Sequence, residues 1–200
     1  PMIINNTADG NANRRFEPTP QNLSELMTVV TEGAAAVGFA QDQDADRLVV
    51  VDENGQALAE DYTLALAMKY FLQKHPDPAG KIVVTNLSTS KMFDDIAAEF
   101  DCRVIRTKIG EAHLAAAMLE TDAIFGGEGS SSGIIWPAVG FGRDSLAGMA
   151  LILEYLATSG QTVSELVSAL PKYYVVREST AVDSRDEIDQ LLEKTQQQFH

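Results

Sequence analysis

Between residues 62 and 168 short apolar runs alternate with segments of helical period. Residues 62–72 carry Leu64, Leu66, Ala67, Met68, Tyr70 and Phe71 and stop before His75 and Pro76, which reads as a buried helix. Residues 81–85 form a continuous, β-branched run and read as a strand. A helix with Met92, Phe93, Ile96, Ala97 and Phe100 follows, with Ser88 or Ser90 as its cap. The spacing then predicts a strand over 102–107, a helix from Glu111 through Met118, a strand over 123–125 and a long apolar helix over 143–157. Thr162 and Glu165 form a capping box for one more helix. Strands separated by helices need crossover connections, which make neighbouring strands parallel and put helices over the sheet. The expected fold is a layered α/β unit with a mixed, largely parallel sheet flanked by helices.

The region before residue 57 reads differently. Residues 2–5 predict a short buried strand, and residues 6–20 a loop rich in Asn, Gly and Pro. Thr19 and Pro20 suit the N-cap and first position of a helix that buries Leu23, Leu26, Met27 and Val30 and ends at Gly33. Strands over 37–40 and 48–51 flank an acidic loop, and a turn at 52–55 closes this first unit near residue 56. Past residue 171, a strand over 173–178 and a polar amphipathic helix over 184–199 differ in composition from the unit before them.

The acidic loop carries the chemistry. Asp42, Asp44 and Asp46 alternate, so in an extended segment their side chains point the same way and can converge on one ion. Close carboxylates repel, and a bound divalent cation offsets that repulsion. Oxygen ligands without His or Cys suit a hard cation, Mg²⁺ or Ca²⁺. Arg47 follows at once and suits phosphate. Asp42, Asp44, Asp46 and Glu53 also occupy positions of a calcium-binding EF-hand loop, but Arg47 stands where that loop needs Gly and the flanks read as strands. A solvated acidic loop is the plain alternative.

Two further loops stand out. Residues 126–133 combine glycines, Glu128 and serines, which offer partners for sugar hydroxyls or make an ordinary turn; no Lys follows as in a nucleotide P-loop. Arg106, Lys108, Gly110 and Glu111 lie where a strand passes into a helix, a plausible anion site or a routine turn. His75, His113 and His200 have no metal spacing.

A net charge of −14 argues against nucleic acid as a partner and mildly against polyanions. Cys102 is the only cysteine, which excludes an internal disulfide and a cysteine zinc site and favours a reducing compartment. No apolar run approaches the about 18–20 residues of a membrane span. The chain opens without Met or a signal peptide, so a piece of a longer protein is expected.

In order and spacing, these loops resemble those of the α-D-phosphohexomutase family: phosphoglucomutases, phosphomannomutases and phosphoglucosamine mutases. The family's Asp-Gly-Asp-x-Asp-Arg metal loop is matched by Asp42-Gln43-Asp44-Ala45-Asp46-Arg47, with Gln43 for Gly. Its Gly-Glu-x-Ser-Gly-His sugar loop is matched by residues 127–132, with Ser132 for His. Residues 106–111, 17–23 and 142–146 also look like family segments. The resemblance implies that residues 1–56 are the C-terminal part of domain 2, 57–171 are domain 3, and 172–200 are a linker strand and the start of domain 4. It implies Mg²⁺ on Asp42, Asp44 and Asp46, Arg47 as the catalytic group on the phosphate, and Glu128, Ser130, Lys108, Gly110 and Glu111 around a phosphorylated hexose. The implied reaction interconverts hexose 1- and 6-phosphates through a phosphoserine and a bisphosphorylated sugar, in the cytoplasm. The phosphoserine loop of domain 1 and the phosphate loop of domain 4 would lie outside this chain, so the chain alone is expected to be inactive. A calcium-binding module without catalysis and a metal-dependent sugar phosphatase are the competing readings.

Overall fold

A computed structural model describes residues 1–7, 15, 17–174, 182 and 184–198. The alternation seen in the sequence becomes a four-stranded sheet of order β4-β3-β5-β6. Its strands are β3 (Ile82–Asn86), β4 (Arg103–Thr107), β5 (Phe125–Glu128) and β6 (Gly133–Ile135). β3 runs parallel to β4 and β5, whereas β6 turns back antiparallel on β5. The helices are α2 (Glu60–Lys74), α3 (Met92–Ala98), α4 (Glu111–Thr121), α5 (Ser145–Ser159) and α6 (Val163–Ser168).

Alternating side chains of β3 divide the core. Val83 joins Leu64, Met68, Phe93 and Ile96 from α2 and α3, while Val84 joins Leu114 and Met118 of α4. Helices therefore cover both faces, as a parallel sheet requires. Tyr70 of α2 stacks on Tyr155 of α5 with ring centres 5.0 Å apart, fixing the outer helix on the inner one. The capping box of α6 forms as expected, with Thr162 and Glu165 each bonding the other's backbone N–H.

Before this unit stand α1 (Ser24–Glu32) and an antiparallel hairpin of β1 (Gly38–Gln41) and β2 (Leu48–Val51). Pro20 begins a 3-10 turn, Pro20–Asn22, and α1 starts only at Ser24. The hairpin is not separate from the sheet: Leu48 and Val50 belong to the same core as α2 and α5. Gly148 lets α5 come this close, because a Cβ there would lie 2.9 Å from Leu48 Cδ2 and 2.3 Å from Ile134 Cδ1.

Some expectations are corrected. Residues 2–5 form no strand; Met2 and Ile3 are each 70 % exposed, and Asn5 turns at φ 55° with its amide on Glu25. An apolar run without a pairing partner gains nothing by extending. The strand expected at 123–125 lies further on and continues through Gly126, Gly127 and Glu128, while β6 was not expected, only its Gly133 having been placed, in the loop. Residues 173 and 174 are not in a strand, and the rest of that expected strand, 175–178, lies outside the described residues. The last helix, α7 (Arg185–Gln198), is present and is capped by Ser184 Oγ, which accepts from Glu187 N. No described helix is long and apolar enough to cross a membrane.

Candidate functional site

The acidic loop is the connection of the β1–β2 hairpin, so its flanks are strands and not the helices of an EF-hand. Ligand oxygens of Asp42, Asp44 and Asp46 all lie within 4.8 Å of one another. The loop does not need glycine at position 43; the left-handed residue is Ala45, at φ 60°. Ala45 is held by a bond from Ser145 Oγ to its carbonyl at 2.7 Å, and Ser145 in turn accepts from Gln41 Nε2 at 2.6 Å. The start of α5 thus pins the loop.

Electrostatics there are unbalanced. Asp46 is pushed up to about 6. Burial is the main cause; the charges of Asp42 and Asp44 add to it, and Arg143 opposes it. Asp46 Oδ1 is buried and accepts no hydrogen bond. A buried orphan acceptor beside two more carboxylates is the donor set that a hard divalent cation satisfies, so the residues fit one. Arg47 closes the loop. Its N–H donates to Asp42 Oδ1 at 3.2 Å, its Nη1 meets Glu17 Oε2 at 2.7 Å, and its Nε lies 3.4 Å from Asp42 Oδ2 without a hydrogen bond.

The sugar-like loop begins inside the sheet. Glu128 ends β5 and is buried, and Ser130 sits in the 3-10 turn that follows. Two glycines are required by close approach. A Cβ at Gly127 would lie 2.3 Å from Gly133 O, and one at Gly129 would lie 2.0 Å from Asp61 Oδ1. Ser132 is buried and turns at φ 53°, and its carbonyl accepts from Leu48 N at 3.3 Å, tying this loop to β2.

Arg143 joins the two loops. Its guanidinium pairs with Asp46 Oδ2, with Glu111 Oε2 at 3.0 Å and with Glu128 Oε2 at 3.3 Å. Gly133 makes room for its stem, since a Cβ there would lie 2.2 Å from Arg143 Cδ. The three-aspartate loop, the Glu128 loop and the first residue of α4 therefore share one cation. Gly110 precedes α4 at φ 124°. Lys108 is exposed and makes no ion pair among the described residues. Arg106 is not available for an anion: its guanidinium donates to the carbonyls of Asn86, Thr89 and Ser90 and pairs with Asp94.

A cavity of about 520 Å³ opens beside these loops, lined in part by Glu17, Arg47, Ser130, Ser132 and Tyr173. Arg47 and Ser130 reach it; the three aspartates, Glu128, Lys108, Gly110 and Glu111 are not in its wall. The sequence reading gave no role to Asn86 or Ser145 and named Arg143 and Glu17 only as parts of similar segments. Gly133, five residues past Glu128, was the nearest signal for the arginine, since it makes space for a neighbour.

Comparison with known proteins agrees with this geometry. A family model described as phosphoglucomutase/phosphomannomutase, alpha/beta/alpha domain III, matches residues 59–174. The chain is similar to a phosphoglucomutase/phosphomannomutase of Thermococcus kodakarensis, at 42% identity over 161 residues, covering 80% of this chain and 34% of that protein. It is also similar to a phosphoglucosamine mutase of Methanococcus maripaludis strain C7, at 34% identity over 185 residues, covering 90% of this chain and 40% of that protein. In fold it resembles the crystal structure of a phosphoglucomutase/phosphomannomutase family protein from Burkholderia thailandensis, with TM-score 0.67 and 24% identity over 78% of this chain and 33% of that one. The chain thus spans 34% and 40% of the two relatives' lengths. A family model over more than half the residues, on an α/β/α sheet that carries the expected loops, shows that the chain belongs to the phosphoglucomutase/phosphomannomutase family.

Proposed function

We propose that this chain is the middle part of a Mg²⁺-dependent phosphohexomutase, an intramolecular phosphotransferase that interconverts hexose 1- and 6-phosphates in the cytoplasm. Residues 1–56 would be the end of its second domain, 57–171 its third, and 172–200 the linker and start of its fourth. The observation that carries this reading is the bridge made by Arg143. It joins the three-aspartate loop to Glu128, which supports a reading in which a metal half and a sugar half would form one site.

Asp42, Asp44 and Asp46 would hold the ion, and Asp46 Oδ1 is the acceptor with most to gain. Three carboxylates would leave a bound ion room for water or phosphate oxygen, which suits Mg²⁺. Bound there, the ion would draw charge from a phosphoryl group. Phosphoryl transfer asks the protein chiefly for positioning and charge stabilisation. Arg47 lies at the cavity wall with its guanidinium held by Glu17 and Asp42, preset to meet phosphate oxygens. Ser130 would hold a sugar hydroxyl, Glu128 would accept from another, and Lys108, Gly110 and Glu111 would border the substrate. The phosphoserine donor and the loop that grips the second phosphate would come from domains 1 and 4, so the chain alone would not turn over.

The test is turnover by the parent polypeptide. With Mg²⁺ and a catalytic amount of hexose bisphosphate, it should convert glucose 1-phosphate or mannose 1-phosphate to the 6-phosphate. Release of inorganic phosphate in place of isomerisation would favour a sugar phosphatase and overturn the proposal. Asp44→Ala should abolish turnover and Mg²⁺ binding by calorimetry; full activity in that variant would remove the loop from the mechanism.

A further inference from the structure

Behind the sugar loop lies the turn at residues 86–90, to which the functional reading gives no role. Asn86 is fully buried at the end of β3. Its Nδ2 donates to Glu128 Oε1. Its Oδ1 accepts from Ser88 N at 3.1 Å, Ser88 Oγ at 2.9 Å and Thr89 Oγ1 at 2.9 Å. The amide cannot be reversed. Turned round, its oxygen would face the Glu128 carboxylate and its NH₂ would face the Ser88 N–H, so both contacts would be lost.

This orientation makes Asn86 Oδ1 an acceptor for the hydroxyls of Ser88 and Thr89. A serine hydroxyl has one proton. Ser88 Oγ lies 2.9 Å from both Asn86 Oδ1, which can only accept, and Ser130 Oγ; in the pairing where Ser88 gives its proton to Asn86, the donor to Ser88 is Ser130. Thr89 likewise gives its proton to Asn86, which leaves a lone pair to accept the Gly129 N–H at 3.0 Å. Arg106 holds the turn from behind through the carbonyls of Asn86 at 3.0 Å, Thr89 at 2.7 Å and Ser90 at 3.0 Å. Ser130 lines the cavity. In that pairing its proton is turned inward, and it meets a ligand with lone pairs only.

We propose that Asn86 and Ser88 are positioning residues that lock Ser130 as a hydrogen-bond acceptor. Ser130 then selects a ligand hydroxyl that can donate, against fluorine, ether or carbonyl at the same place. The inference rests on the reading of Ser130 as a holder of a sugar hydroxyl.

The experiment measures binding by calorimetry to the parent polypeptide. The probes are glucose 1-phosphate and its monodeoxy-monofluoro derivatives, one ring hydroxyl at a time. At one ring position the wild type should bind the hydroxyl over the fluorine by about a hundredfold. Ser88→Ala frees the Ser130 proton to turn outward and should cut that ratio by about tenfold at that position alone. Ser88 is half-buried, and Ser88→Cys, of similar size but a poorer acceptor, should shift the ratio the same way by less. Ser130→Ala should remove the selectivity there. A wild-type ratio retained in both Ser88 variants, or the same ratios in Ser130→Ala as in the wild type, would overturn the inference. A parent that selects the hydroxyl in this way but does not isomerise hexose phosphates would overturn the functional reading and leave the inference standing. Absence of sugar phosphate binding would overturn both.

Discussion

The three-aspartate hairpin and the Glu128 loop, here called the metal side and the sugar side after their proposed ligands, meet at Arg143 but are finished to different degrees. In the sugar loop, Glu128, Gly129 N and Ser130 each have an internal partner, and those partners are braced by Asn86 and Arg106. In the hairpin, Asp46 Oδ1 and Arg47 Nε are buried without a hydrogen bond, and three carboxylates crowd one another. A satisfied network is rigid before its ligand arrives. An unsatisfied one stores a cost that a ligand relieves. The Glu128 loop is therefore preorganised, whereas the three-aspartate loop keeps buried polar atoms that its own chain leaves unsatisfied.

The largest test of this contrast is the arginine that both sides share. Arg143→Met should destabilise the chain by about 3 kcal/mol, because three carboxylates lose one partly buried counter-charge. Urea unfolding measures it, and a loss no greater than that of an exposed ion pair would mean the two loops are independent. Gly129→Ala tests the rigidity of the sugar side. Its Cβ would fall 2.0 Å from Asp61 Oδ1 and 2.8 Å from Thr89 Cγ2, so a loss of about 2 kcal/mol in the same assay is expected. A near-neutral result would show that the loop yields.

The metal side should respond in the opposite direction. With chelator present, Asp44→Asn should raise the melting temperature slightly, since it removes one of three close like charges. Mg²⁺ at ten times its dissociation constant should stabilise the wild type by about 1.4 kcal/mol and this variant hardly at all. Equal Mg²⁺ responses would place the ion elsewhere.

The smallest effect lies away from both loops. Burial would raise Glu53, but hydrogen bonds from the Ser164 hydroxyl and from backbone amides outweigh it, and the carboxyl sits below its ordinary value of 4.5. A lowered folded value adds stability that is fully present above 4.5 and is lost as pH falls through the folded value. Urea midpoints of the wild type should therefore fall more steeply below pH 4.5 than those of Glu53→Gln; parallel curves would remove Glu53 from the acid response.

Much of the fold was legible because it rests on local periodicity. The runs at 62–72, 81–85 and 102–107 became α2, β3 and β4, and the Thr162 capping box formed as read. Strand β6 was missed because Gly133, Ile134 and Ile135 are too few to show a period, and it exists only by pairing with β5. The opposite error, a strand at residues 2–5, came from an apolar run that pairs with no strand among the described residues. Arg106 was read as part of either a plausible anion site or a routine turn, from its place before a helix. Carbonyls 16 to 20 residues away in the chain take up its guanidinium, and no local pattern announces them.

The sequence by itself determined the α/β class, the family and the convergence of Asp42, Asp44 and Asp46, because strand alternation and loop spacing are properties of neighbouring residues. Only the tertiary structure decided which groups are left unsatisfied. Arg143 lies 97 residues from Asp46 and 15 from Glu128, and Asn86 lies 42 from Glu128. Whether a buried carboxylate meets a guanidinium, an amide or nothing depends on how the sheet and α5 bring distant segments together, and that is set by packing of the whole core.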